Sequence, residues 1–64
     1  MIVNMLTIEW NAQGEQVRRD SYRIRAEKPP VMPERFTPIR DGVWQEQHRG
    51  EAMLRLTTWT VTQA

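Results

Sequence analysis

Asn11-Ala12-Gln13-Gly14-Glu15 and Gln47-His48-Arg49-Gly50-Glu51 are the stretches that decide the fold. Each ends in Gly-Glu, and each separates two runs of alternating or β-favouring residues. A short connection with glycine at its last turn position suits a type I turn closed by a left-handed residue, because glycine takes positive φ at little steric cost. Both stretches therefore predict β-hairpins.

Outward from the first turn, Ile2, Leu6, Ile8 and Trp10 fall on one face of an extended strand, with Asn4 as the exception. The returning strand, Val17 to Ala26, fits less cleanly. Pairing Asn11 with Glu15 puts Trp10 opposite Gln16, Leu6 opposite Asp20 and Ile2 opposite Ile24, so that Tyr22, Ile24 and Ala26 share the apolar face with Arg18 and Asp20. A bulge near Arg18 or Arg19 would turn half of the strand over and remove the conflict.

Outward from the second turn, Val43 to Gln47 and Ala52 to Val61 form the other hairpin, with Trp44 opposite Leu54 if Gln47 pairs with Glu51. The run Thr57-Thr58-Trp59-Thr60-Val61-Thr62 is rich in residues that suit a pleated surface. Leu54 and Leu56 lie on one face of this strand, Trp59 and Val61 on the other. Such a strand is either central and covered on both sides or bulged near Thr57.

Between the hairpins, Pro29, Pro30, Pro33 and Pro38 remove backbone donors and disfavour helix. Val31, Met32, Phe36 and Ile39 make the segment too apolar for a free linker, so it is expected to cross and cover one end or face of the sheet. Pro33 to Phe36 has room for a single helical turn, and Asp41-Gly42 reads as a turn into the second hairpin. These readings predict a mainly β fold in one domain: a small antiparallel sheet of four strands or a partly open barrel. It consists of two β-hairpins (2–26 and 43–61) joined by a proline-rich crossover (28–41).

With 64 residues the chain is near the size at which one core only just offsets the entropy of ordering the backbone. It has no cysteine and one histidine, so a disulfide framework, thiol catalysis and a metal cluster are not expected. The start, Met1-Ile2-Val3-Asn4-Met5-Leu6, lacks the basic residues and long apolar run of a secretory signal, and a cytoplasmic protein without a membrane segment is expected.

Nine basic side chains balance eight acidic ones, but residues 18–28 hold Arg18, Arg19, Arg23, Arg25 and Lys28 against Asp20 and Glu27. Arg19, Arg23 and Arg25 alternate along one side of an extended strand, an arrangement that would hold phosphates of a nucleic acid, or the carboxylates of a protein. It also describes the solvated face of an ordinary half-buried sheet. Pro30-Val31-Met32-Pro33-Glu34-Arg35 has the spacing of a polyproline II ligand, though a stiff crossover uses the same residues.

Trp10, Trp44 and Trp59 exceed what one side of so small a sheet can hide. The expected function is accordingly non-enzymatic: binding of a protein partner, as a homo-oligomer, through Trp10 or Trp59 flanked by Arg23 and Arg25. Nucleic-acid binding by Arg19, Arg23 and Arg25 is the alternative. No catalytic residue and no cofactor is expected. His48 stands in a turn without a base or nucleophile beside it, the carboxylates are scattered, and the three glycines form no phosphate loop.

Overall fold

The computed structural model describes residues 1–63. Strand β1 (Ile2–Asn11) turns into β2 (Gln16–Arg25), and β3 (Thr37–Arg40), β4 (Val43–Arg49) and β5 (Met53–Thr62) follow the crossover. All neighbours pair antiparallel in one five-stranded sheet of order β2-β1-β5-β4-β3. Edges β2 and β3 do not pair, so the sheet is open and not a barrel, and the described residues contain no helix. No helix long and apolar enough to cross a membrane occurs among them.

The fifth strand corrects the expected four. Residues 37–40 of the expected crossover form β3 despite Pro38, because an edge strand has one row of backbone groups that needs no partner.

The first turn has the expected geometry. Gly14 is left-handed at φ 82°, and its N–H donates to the Asn11 carbonyl at 3.0 Å. Asn11 fixes the loop further, its Oδ1 accepting from the N–H groups of Gln13 at 3.0 Å and Glu15 at 2.9 Å. A Cβ at Gly14 would meet nothing within 4 Å. Gly14→Ala is therefore expected to cost only the backbone term, about 1 kcal/mol, measured by urea denaturation.

The second turn differs. Gly50 does not take positive φ; its N–H donates to the Met53 carbonyl at 2.8 Å, and Arg49 pairs with Leu54 in place of Gln47 with Glu51. The hairpin is thus longer than expected, and Trp44 lies opposite Trp59, not Leu54. Left-handed backbone is used instead at Gly42, φ 76°, in the tight Asp41-Gly42 turn between β3 and β4.

The β1–β2 register contains the expected bulge, one residue earlier than Arg18. Trp10 pairs with Gln16 but Glu9 with Arg18, which leaves Val17 as the extra residue. From there on Leu6 opposes Ser21 and Ile2 opposes Arg25, replacing the expected Asp20 and Ile24. The shift of one residue exchanges the faces of β2. Tyr22 and Ile24 now lie beside Met5 and Val3, while Arg19, Arg23 and Arg25 lie beside Ile8, Asn4 and Ile2.

Strand β5 is central and pairs with β1 without a bulge from Ile2–Thr62 to Asn11–Met53. Its Trp59 and Val61 share a face with Val3 and Met5 of β1 and Trp44 of β4. The crossover covers that end of that face. Its start is tied to β1 by the Met1 ammonium donating to the Ala26 carbonyl and the Ala26 N–H donating to the Met1 carbonyl, both at 2.9 Å. Its end makes a hydrogen-bonded turn, Phe36 N–H to the Pro33 carbonyl at 3.0 Å, and lays the Phe36 ring 5.1 Å from Trp59. Arg35 reaches Glu46 on the same face at 3.2 Å. Val31 and Ile39, expected to face inward, are exposed instead.

Only Val3, Phe36 and Val43 are fully buried among the described residues. The radius of gyration is 12.9 Å, against about 11 Å for a packed domain of this length. The molecule measures 39 × 21 × 15 Å, and its short dimension is that of a single sheet with one partial cover. Domains ordinarily bury a sheet face against a second layer. Here that layer is present on half of one face.

Candidate functional site

Strand alternation and register assign the side chains to two faces. The crossover face carries Val3, Met5, Trp44, Trp59 and Val61 at the end the crossover reaches, with Tyr22 and Ile24 of β2 exposed beside them, and Thr7, Glu9, Arg18, Asp20, Arg55, Thr57 and His48 at the other. The second group is polar and internally matched. Arg18 donates to Asp20 at 2.7 Å, the Thr7 and Thr57 hydroxyls are 3.3 Å apart, and Glu9 stands opposite Arg18 in the β1–β2 register and opposite Arg55 in the β1–β5 register. This end is stable in water as it stands.

The open face is different. Leu6, Ile8 and Trp10 of β1 lie beside Leu54 and Leu56 of β5, in register as Ile8–Leu56 and Trp10–Leu54. All five are half-buried, and no segment of the described chain crosses them. The apolar patch is two strands wide, about 10 Å, and runs from Leu6 to Trp10 along β1, about 14 Å. At its end the two hairpin turns flank a groove lined by Trp10, Ala12, Arg49, Glu51 and Leu54.

Arginines border the patch. Arg19 lies beside Ile8, Arg49 beside Leu54, and Arg23 and Arg25 continue the row along β2 toward Ile2. Arg40 of β3 is on the same face by its pairing with Val43. No strand carboxylate is there: Glu9, Asp20 and Glu46 all belong to the crossover face, and the remaining acids are in turns or the crossover. A chain of net charge +1 has thus gathered five arginines on a face where no strand supplies a carboxylate and Glu51, in the turn beside Arg49, is the one acid at the groove.

Of the expected contact residues, the structure brings together Trp10, Arg23 and Arg25, with Arg19 between them along the face. It separates Trp59, which lies on the opposite face between Phe36 at 5.1 Å and Trp44 at 6.0 Å. Two of the three indoles are thereby occupied inside one copy, leaving Trp10. Sequence reading missed Leu6, Ile8, Leu54 and Leu56 as surface, because alternating apolar residues ordinarily mark the buried side of a sheet. It missed Arg49 because its place on the open face depends on the longer β4–β5 register.

Other chemistry is sparse. His48 is exposed near the end of β4 opposite Arg55. Among the described residues no three His, Asp or Glu side chains come together in a way that could hold a metal ion.

Compared with protein-family models, curated proteins and solved structures, the chain matches none.

Proposed function

We propose that this chain is a non-enzymatic interaction domain that binds a protein partner across its open face, and acts by holding or occluding that partner. The observation that supports this is the uncovered patch of Leu6, Ile8, Trp10, Leu54 and Leu56 within a rim of arginines. An apolar centre with an aromatic anchor and guanidinium groups at the margin has the composition of a protein contact. Both sheet edges are poor templates for strand addition, since β2 is bulged and arginine-rich and β3 is short and contains Pro38. The face is the better surface.

Two other readings use the same residues. Self-association would cover the apolar patch, but it would bring two arginine-rich sets, each with Glu51 as its one nearby acid, into one contact. Nucleic acid would satisfy the Arg19, Arg23, Arg25 row, yet Trp10 is the one aromatic ring the face offers for stacking, and the Leu and Ile side chains beside it give bases no π surface.

The test is photo-crosslinking in the cells that express the protein. A benzophenone amino acid at position 56, on the open face, is expected to give a discrete protein adduct, and the same probe at position 57, on the crossover face, is expected to give none. Equal labelling from both positions, or no adduct from position 56, would reject the reading.

A further inference from the structure

We infer that the occupant of the open face is an acidic amphipathic α-helix presented by a partner protein. This inference rests on the protein-binding reading above and adds the shape and charge of the ligand.

Shape comes first. The patch is about 10 Å wide, which is the diameter of one α-helix, and its length of about 14 Å matches some ten helical residues at 1.5 Å rise. An antiparallel sheet with one bare apolar face is completed either by helices or by a second sheet. An added strand layer would need an apolar surface several strands wide. That width is missing here, since Gln45 and Gln47 on β4 and Ser21 on β2 bound the patch on its two sides. Gln45 is already engaged, its amide donating to the Thr58 hydroxyl at 3.3 Å.

Charge fixes the flanks. Arg19 and Arg49 stand on opposite sides of the patch, one on β2 and one on β4. A helix laid along β1 and β5 would hold residues on both margins of its apolar stripe next to these guanidinium groups. Glutamate or aspartate at those positions meets Arg19 on one margin and Arg49 on the other, with Glu51 the one carboxylate at that end; lysine meets the like charge of both arginines. A second copy of this face brings the same arginines, with Glu51 alone to oppose them. Arg23 and Arg25, farther along β2, would engage a helix that continues beyond the patch.

The experiment uses the full chain and three synthetic probes, read by Trp10 fluorescence in a Trp44→Phe/Trp59→Phe background checked for native circular dichroism, and by calorimetry with the unmodified chain. The first probe is a 16-residue helix-forming peptide with leucines at i, i+3, i+4 and i+7 and glutamates on both flanks. The second replaces the glutamates by lysines, and the third is oligothymidylate. The expected result is saturable binding of the acidic peptide alone, weakened about tenfold or more between low and high salt and by Arg19→Ala/Arg49→Ala. Both arginines are exposed, so the fold is expected to survive their removal.

Failure of the acidic peptide, equal binding of the lysine peptide, tighter binding of the oligonucleotide, or a stable dimer abolished by Leu56→Glu would overturn the inference. The photo-crosslink from position 56 separates the two levels. An adduct that forms equally well with Arg19 and Arg49 removed leaves the protein-binding reading standing and rejects the acidic helix.

Discussion

Replacing Gly42 by alanine is expected to lower stability by about 3 kcal/mol, close to the whole margin of the protein. Two independent causes add here. Gly42 has φ 76°, which a side chain disfavours by about 1 kcal/mol. A Cβ there would also stand 2.8 Å from the Val61 carbonyl oxygen, a backbone atom of the central strand that cannot swing away as a flexible side chain would. Relieving that clash means separating the start of β4 from β5, where the Val61 N–H donates to the Gly42 carbonyl at 2.6 Å. The lost hydrogen bond and the local shift are each worth about 1 kcal/mol. A chain of 64 residues has in all some 3–10 kcal/mol. Thermal unfolding should therefore show a midpoint lower by about 12–24 °C, or no cooperative transition. Gly14→Ala, with the same backbone sign but open space around it, is the control. Equal effects at the two glycines would show that close approach to Val61 is not what makes Gly42 necessary.

Phe36→Ala is the second large effect expected, about 3 kcal/mol or more. Phe36 is 6 % exposed and is the one fully buried side chain that the crossover supplies. Removing an aromatic ring from a packed site ordinarily costs about 3–5 kcal/mol. The consequence reaches further than a cavity, because Phe36 is what holds the crossover on Trp59, with the Arg35–Glu46 pair beside it. That pair has Arg35 73 % exposed and is too solvated to hold the segment alone. The variant should show red-shifted emission from Trp44 and Trp59 and a denaturation midpoint well below that of the unmodified chain. Val31→Ala, at a crossover residue 87 % exposed, should change stability by less than about 0.5 kcal/mol. Comparable losses at the two positions would mean that the crossover contributes general bulk and not one anchoring ring.

Much of this architecture is legible in the residues themselves. Asn11 and Gly14 specify their turn by local chemistry alone, an Asx hydrogen-bond pair and a left-handed glycine, and the Asp41-Gly42 turn likewise uses a left-handed glycine. The two-sided apolar character of β5 fits its place as the central strand, third in the order of five and without a bulge near Thr57, but the cover on both sides that it also implied is not there. The conflict of Arg18 and Asp20 with the apolar positions of β1 signals a bulge, but its place at Val17 depends on how the whole strand pairs. That single residue decides whether the arginines share a face with Trp10 or with Trp59. Gly50 misleads because glycine permits a left-handed turn without requiring one, and here the second turn closes through Met53. Strand β3 was hidden by Pro38, whose missing donor matters only where another strand follows. The surplus of indoles, read as a sign of partners, is partly absorbed by the Phe36–Trp59–Trp44 cluster. What the sequence could not display is the charge separation between faces, since it follows from the register and not from spacing.

The distribution of apolar residues is diagonal. One end of the sheet is apolar on the crossover face and is covered over Trp44 and Trp59, while Tyr22 and Ile24 on β2 stay exposed; the other is apolar on the open face and has no segment over it. Coverage of the first is intramolecular because the chain from Arg25 to Thr37 must travel from one edge of the sheet to the other, past β1, β5 and β4. No such necessity brings chain to the second.

Methyl-detected paramagnetic relaxation with an inert soluble agent tests this arrangement most directly. In the free chain at low concentration, the methyl groups of Leu6, Ile8, Leu54 and Leu56 should be strongly broadened while those of Val3 and Val43 are protected, and addition of the acidic helical peptide should remove the broadening of the four. Protection of Leu6, Ile8, Leu54 and Leu56 already in the free chain would contradict the account, because the open face would then have its own cover.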